Sequence, residues 1–323
     1  MVSAQTYPSL NRIPGPLAVI GASGLLGREI LRDLKLAGAE VMGTALRRAG
    51  DGCTLLDIQD AVAVEQFLDA FRPAVVVIAA GEKRADVCEH DPVRARALNL
   101  TAPAFIARRV ATYGGLTLYI STDYVFDGNA APYFPHSVPE PINAYGLSKR
   151  EGELAVLNAG SGSAVLRLPL LFGPTGDLSE SAVTSVLLPG DAGGVNRGAN
   201  RIPIPVDNWA IRYPTLTSDV ASVCRQIIEQ WLEGTDLSGI HHWSGSDAYT
   251  KYALSCELAA LAQLPETAFI PSMPGPADVP RPYNCHLDTS SLTRLGIRAA
   301  TPLRQALADV VQPHLRQLAA LWA

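Results

Sequence analysis

Tyr145 and Lys149 stand one helical turn apart in the stretch Asn143-Ala144-Tyr145-Gly146-Leu147-Ser148-Lys149-Arg150-Glu151. At that spacing the two side chains share a helix face. An ammonium beside a phenol favours the phenolate, so the pair predicts a tyrosine with a lowered pKa. Such a tyrosine gives a proton to a carbonyl oxygen or takes one from an alcohol. Thr122 follows the apolar run Leu116 to Ile120, which reads as a buried strand. A hydroxyl at the C-terminal end of such a strand is placed to hydrogen-bond the same oxygen. Asn99 falls inside a long helix expected from Asp91 to Tyr113, where it would hold a water that completes a proton relay. The candidate catalytic residues are therefore Thr122, Tyr145, Lys149 and Asn99. The plainer alternatives are a surface Tyr–Lys pair and a polar contact within a helix.

Carbonyl–alcohol chemistry needs a hydride carrier, and the start of the chain offers a place for one. Leu17-Ala18-Val19-Ile20 is an apolar run that stops at Gly21, with Gly24 and Gly27 at spacings of three. Leu25, Leu26, Ile30, Leu31 and Leu34 then share one face of an amphipathic segment. Strand, tight turn and helix put backbone N–H groups at a helix N-terminus, where an anion is favoured. Gly21 closes the turn, Gly24 lets a pyrophosphate approach, and Gly27 lets helix and strand pack. The spacing is G-x-x-G-x-x-G rather than G-x-G-x-x-G. Glu40 to Thr44 reads as the second strand, followed by Leu46-Arg47-Arg48 with no acid at its end. An acid there would bind a ribose 2′-hydroxyl, whereas arginines suit a 2′-phosphate, so NADP is favoured over NAD. Asp57 would reach the adenine edge or cap the helix starting near Ala61. Val75 to Gly81 is a β-branched run of a strand buried on both faces, with small residues at its end leaving room for a cofactor.

The remaining composition narrows the class. The chain has 323 residues, 48% of them hydrophobic, enough for two lobes. A net charge of −5 without long basic runs argues against nucleic acid and anionic membranes as partners. No apolar run reaches the ~18 residues of a spanning helix. The five cysteines are scattered and form no Cys-x-x-Cys pair, as expected of reduced thiols in a cytoplasmic protein. His241-His242 would point to opposite faces of a strand, so no metal site is expected. Repeated strand–helix units predict an α/β fold, a Rossmann-type doubly wound parallel sheet with a smaller C-terminal α/β lobe for substrate or partner. The expected divisions are a flexible lead-in over 1–16, a cofactor-binding domain over 17–172 and the smaller lobe over 173–323. The strand at 239–243 is free to return to the main sheet. Pro189 to Pro205 and Pro271 to Pro282 read as long loops, and Thr217-Ser218-Asp219 and Thr250 as helix caps.

Gly21-x-x-Gly24-x-x-Gly27, Ser121-Thr122-Asp123-Tyr124-Val125-Phe126-Asp127-Gly128 and Tyr145-x-x-x-Lys149 together resemble the extended short-chain dehydrogenase/reductases. Tyr213-Pro214-Thr215, Asp219 and Arg281-Pro282-x-Asn284-x-x-Leu287-Asp288 fit the dTDP-4-dehydrorhamnose reductase branch. Gly24-Leu25-Leu26-Gly27-Arg28, Glu180-Ser181-Ala182-Val183-Thr184, His242-Trp243-Ser244-Gly245, Thr250-Lys251-Tyr252 and Leu295-Gly296-Ile297 resemble its relatives, the regulatory β subunits of methionine adenosyltransferase. That resemblance implies an NADP-binding protein that modulates the catalytic subunit in S-adenosylmethionine synthesis. It places cofactor contacts on Ser23, Gly24, Leu25, Leu26, Leu46, Arg47, Arg48, Thr54, Leu55, Ala79, Lys83, Tyr145 and Leu171. The reductase branch implies instead an NADPH-dependent reductase of a carbonyl such as a nucleotide-linked 4-keto sugar. Lys83 stands where the regulatory subunits carry arginine, and the C-terminal stretch Arg316 to Ala323 does not match theirs.

Overall fold

The computed structural model describes residues 15–47, 52–188, 203–273 and 279–322. The expected lead-in, most of the 189–205 loop and the middle of the 271–282 loop lie outside the described residues. The chain runs through β1 (Leu17–Ile20), α1 (Leu25–Leu36), β2 (Val41–Ala45), β3 (Cys53–Leu55), α2 (Ala61–Phe71), β4 (Val75–Ile78), α3 (Ala85–His90) and α4 (Pro92–Arg96). It continues through α5 (Ala102–Ala111), β5 (Leu116–Thr122), α6 (Ala144–Leu157), β6 (Ser163–Leu168), β7 (Leu171–Phe172), β8 (Ile204–Asp207), β9 (Ile211–Arg212) and β10 (Thr215–Leu216). Next come α7 (Thr217–Leu232), β11 (Gly239–His242), β12 (Tyr249–Thr250), α8 (Lys251–Leu261), β13 (Phe269–Ser272), α9 (Ser290–Arg294), α10 (Leu303–Val311) and α11 (Leu315–Trp322).

Seven strands form one parallel sheet in the order β11-β6-β5-β4-β1-β2-β3. Strand order reverses between β1 and β4, the place where open α/β sheets bind ligands at their carboxyl edge. Alternation along the strands divides the core into two layers. Leu17, Val19, Val75, Val77, Leu118 and Leu166 pack with α1 and α7. Ala18, Ile20, Val76, Ile78, Tyr119 and Val165 pack with α2, α5 and α6 on the other face. Both faces are covered, so the strands read as continuous apolar runs rather than alternating ones. This is the doubly wound, Rossmann-like architecture. A separate core is built by α8, α10, α11 and the short β8–β13 pair.

Three local details differ from expectation. The long helix over 91–113 is interrupted by a π-helical turn, Ala97–Thr101, because Pro103 brings no N–H to a regular ladder. Asp60, not Asp57, caps α2 by accepting from the Val62 and Ala63 amides. Asp219 makes no cap on α7; its carboxylate accepts from the Thr301 amide and hydroxyl instead. Although α7 and β11 lie beyond residue 173, α7 packs on α1 and β11 pairs with β6 in the main sheet. Among the described residues no helix is long and apolar enough to cross a membrane.

Candidate functional site

The glycine turn sits at the carboxyl end of β1, at the point where strand order reverses. Gly21 has a φ of +86°, and a Cβ there would lie 2.7 Å from the Ala80 amide nitrogen. A Cβ on Gly27 would lie 2.2 Å from the Gly21 carbonyl oxygen, so helix and turn touch through backbone. Gly24 differs: a Cβ there would meet only Gly21 O, at 3.3 Å. The open side of the turn is therefore at Gly24. Helix α1 has no side-chain cap and no acidic residue in its first turn. Its leading N–H groups are left for an external anion, which fits a pyrophosphate. Ser23 and Leu25 are half-buried at this turn and Leu26 is buried.

Neighbouring strand ends supply the rest of a groove. Ala45 and Leu55 are register partners on β2 and β3. Leu46 and Leu55 are each 56% exposed, a pair of bare apolar side chains that suits the flat face of an adenine. Arg47 and Thr54 are exposed beside them, while Arg48 lies outside the described residues. Asp57 is exposed, and one of its carboxylate oxygens accepts from the Gln59 amide. Ala79 is half-buried at the end of β4. Lys83, in the following loop, donates to the Glu180 carbonyl at 3.3 Å. Arg28 of α1 pairs with the Glu180 carboxylate at 2.7 Å and donates to the Pro174 carbonyl at 2.8 Å. The segment leaving β7, where Leu171 is half-buried, is thus tied to both lips of the groove. Neither the Arg28 nor the Glu180 contact is visible as a local spacing.

Asn143 caps α6 by accepting from the Gly146 amide at 2.9 Å, which sets Tyr145 and Lys149 on the first turns. Burial pushes the Tyr145 phenol well up, and the nearby Thr122 hydroxyl pulls it back only in part. Tyr124 packs edge-on to Tyr145, with ring centroids 5.8 Å apart. The expected lowering of Tyr145 by Lys149 is not what the geometry gives. The Lys149 ammonium instead donates to the Tyr119 hydroxyl at 2.6 Å and the Ile120 carbonyl at 2.7 Å. Burial brings Lys149 down to about 7, against the pull of the Glu153 carboxylate. A phenol held high is a proton donor at neutral pH, which suits reduction of a carbonyl.

Asn99 is fully buried, and its side chain bridges two elements. Its carbonyl oxygen accepts from the Glu82 amide, and its amino group donates to the Glu82 carbonyl and the Ser148 hydroxyl, at 2.9–3.0 Å. Its main-chain carbonyl accepts the Tyr119 phenol at 2.7 Å. The position expected for a water behind Lys149 holds that phenol. Beneath the pair, Glu153 accepts two hydrogen bonds from Arg167 at 2.7 and 2.8 Å and one from Ser121 at 2.6 Å. His241 bonds the Leu237 carbonyl, and His242 lies between Arg167 and the Tyr133 carbonyl, so the two rings part as expected. Among the described residues no cluster of three or more His, Cys, Asp or Glu could hold a metal ion.

Thr122, Tyr145 and Lys149 thus meet at the carboxyl end of β5, two strands along the sheet from the strand that carries the glycine turn. Known proteins match this chain over most of its length. The family described as the RmlD substrate binding domain matches residues 16–316. Methionine adenosyltransferase 2 subunit beta of Xenopus tropicalis is 41% identical over 305 residues, covering 94% of this chain and 89% of that one. The dTDP-4-dehydrorhamnose reductase of Streptomyces griseus is 34% identical over 248 residues, covering 74% and 73%. The crystal structure of a dTDP-4-dehydrorhamnose reductase from Clostridium acetobutylicum superposes with a TM-score of 0.79 at 25% identity, covering 92% of this chain and 99% of that one. With the sheet, the turn and the Tyr–Lys helix all in place, the chain belongs to the RmlD substrate binding domain family.

Proposed function

We propose that the protein binds NADP(H) and acts in the cytosol as a regulatory β-type subunit of methionine adenosyltransferase, the enzyme of S-adenosylmethionine synthesis. The observation that carries this reading is the 41% identity to methionine adenosyltransferase 2 subunit beta across 94% of the chain. The uncapped α1 with open space at Gly24 supports a bound pyrophosphate. Ser23, Gly24, Leu25 and Leu26 would hold the pyrophosphate between Gly21 and Gly27. Leu46, Arg47 and Arg48 would hold the 2′-phosphate end, with Thr54, Leu55 and Asp57 near the adenine. Ala79 and Lys83 would lie near the middle of the cofactor. Tyr145, Lys149 and Leu171 would meet the nicotinamide end, where the bound cofactor supplies a hydride.

A second reading is favoured by the convergence of Thr122, Tyr145 and Lys149 and by the 34% identity to a dTDP-4-dehydrorhamnose reductase. It is an NADPH-dependent reduction of a small carbonyl substrate, such as a nucleotide-linked 4-keto sugar. There Tyr145 would give its proton to the carbonyl oxygen while Thr122 bonds the same oxygen.

Co-purification with the methionine adenosyltransferase catalytic subunit and a change in that enzyme's kinetics are expected. No association would overturn the regulatory reading. NADPH turnover with a keto-sugar nucleotide, abolished by Tyr145→Phe, would establish the reductase. Replacing Arg47 and Arg48 together by alanine is expected to weaken NADP binding at least ~10-fold through loss of charge-assisted hydrogen bonds, and NAD far less. Equal weakening of both, read by fluorescence titration, would reject the 2′-phosphate assignment.

A further inference from the structure

Lys149 is held from behind by another side chain. Tyr119, on β5, is fully buried, and its hydroxyl sits between the lysine and the Asn99 main-chain carbonyl. The ammonium also lies over the Tyr119 ring, 3.8 Å from its centroid. Two sequence features make room for this arrangement. Pro103 stands four residues after Asn99 and has no N–H to occupy the Asn99 carbonyl, which is left for the phenol. Gly152 faces the same junction from α6: a Cβ there would lie 2.0 Å from the Asn99 carbonyl oxygen and 2.8 Å from the Tyr119 hydroxyl.

We propose that Tyr119 is the positioning residue of Lys149: its phenol oxygen takes the place of a relay water between the ammonium and the Asn99 carbonyl, and ends the proton relay inside the protein. The positioning role rests on the NADP(H)-binding reading of the site, and the closed relay on its reductase reading. Of the three ammonium hydrogens, two go to Tyr119 and Ile120, and one is left for a ribose hydroxyl of the cofactor. The Tyr119 hydroxyl passes its own hydrogen to a carbonyl, which has none to give onward. A proton spent at Tyr145 is therefore replaced from the groove, not from behind the lysine. The groups that face Lys149 are Tyr119 from β5, Cys88 from α3 and Glu153 from its own helix, with Arg167 of β6 paired to Glu153.

The chain has four lysines, Lys35, Lys83, Lys149 and Lys251, so lysine-labelled NMR of the full chain resolves each one. The Lys149 signal is the one lost in Lys149→Met. In the cofactor-free protein it is expected to titrate near 7. Tyr119→Phe keeps the ring and removes one acceptor from the ammonium. Its midpoint is expected to fall by about one pH unit or more. An unmoved or raised midpoint would overturn the positioning role, since lost packing alone leaves the titration in place. A second measurement needs no variant. Near pH 6 the Lys149 ammonium protons of the wild-type protein are expected to exchange slowly with water and stay visible. Rapid exchange would overturn the closed relay. Both readouts use the cofactor-free chain, so a failure to bind NADPH would count against the proposed function and not against this assignment.

Discussion

Tyr145 and Lys149 share a helix face, yet each answers to a different neighbour. Thr122 contacts the phenol, while Tyr119 and the Ile120 carbonyl hold the ammonium. Asp123, next to Thr122, shows how burial sets charge at this site. Its carboxyl is pushed up to about 6 by burial, although Arg212 and the Thr122 hydroxyl pull it down. The folded pKa lies above the ordinary value of 3.8, so the ionised carboxylate costs stability above about pH 6. That cost fades as pH falls through about 6 toward the ordinary value. Asp123→Asn is expected to stabilise the protein by roughly 2–3 kcal/mol near pH 8 and to have little effect near pH 3. Urea unfolding at both pH values measures the difference, and an equal gain at both would place the effect outside Asp123 ionisation.

At the scale of elements, the π-helical turn after α4 and the close approach of α6 belong to one junction. Pro103 breaks the regular ladder, Asn99 turns its amide to the loop after β4, and Gly152 lets α6 come against the Asn99 carbonyl. An alanine at 152 would favour the helix by about 1 kcal/mol on propensity alone. The contact with Asn99 reverses the sign: Gly152→Ala is expected to cost about 2 kcal/mol through overpacking. Chemical denaturation of the variant is the check; a gain in stability would mean that α6 moves away freely. The Asp91-Pro92 cap and first position mark where the helix over 91–113 starts, and such a signal carries no information on a π turn within it.

Across the whole molecule, the buried Glu153–Arg167 pair joins α6 to β6, reaches β5 through Ser121 and meets β11 through His242. Burial and the nearby Arg167 charge hold His242 down at about 3, so its ring stays neutral beside the guanidinium at physiological pH. Arg167→Met would leave the Glu153 carboxylate buried without its main partner and is expected to cost about 3–5 kcal/mol. The loss should be smaller in Arg167→Met combined with Glu153→Gln; equal losses in urea titrations would mean that the two side chains do not act as a pair. The second core is tied to the cofactor side by the segment after β7. The Trp322 indole donates to the Leu187 carbonyl at 2.8 Å, and His314 lies 3.2 Å from the Thr175 carbonyl. The same segment reaches Arg28 and Lys83 at the groove.

Read alone, the sequence determined the strand–turn–helix at 17–36, the Tyr145–Lys149 face and the parallel α/β plan. Each follows from spacing within one or two elements: glycines at three, a phenol and an amine at four, apolar runs of strand length. Only the tertiary structure decided what Lys149 touches. Tyr119 is 30 residues away in sequence, and the two meet because β5 packs under α6. Nor could spacing show that Arg28 and Lys83 reach Glu180, or that α7 and β11 complete the first core from beyond residue 173. Hydrogen bonds and ion pairs between distant elements follow from how sheet and helices pack, and packing leaves no period in the chain.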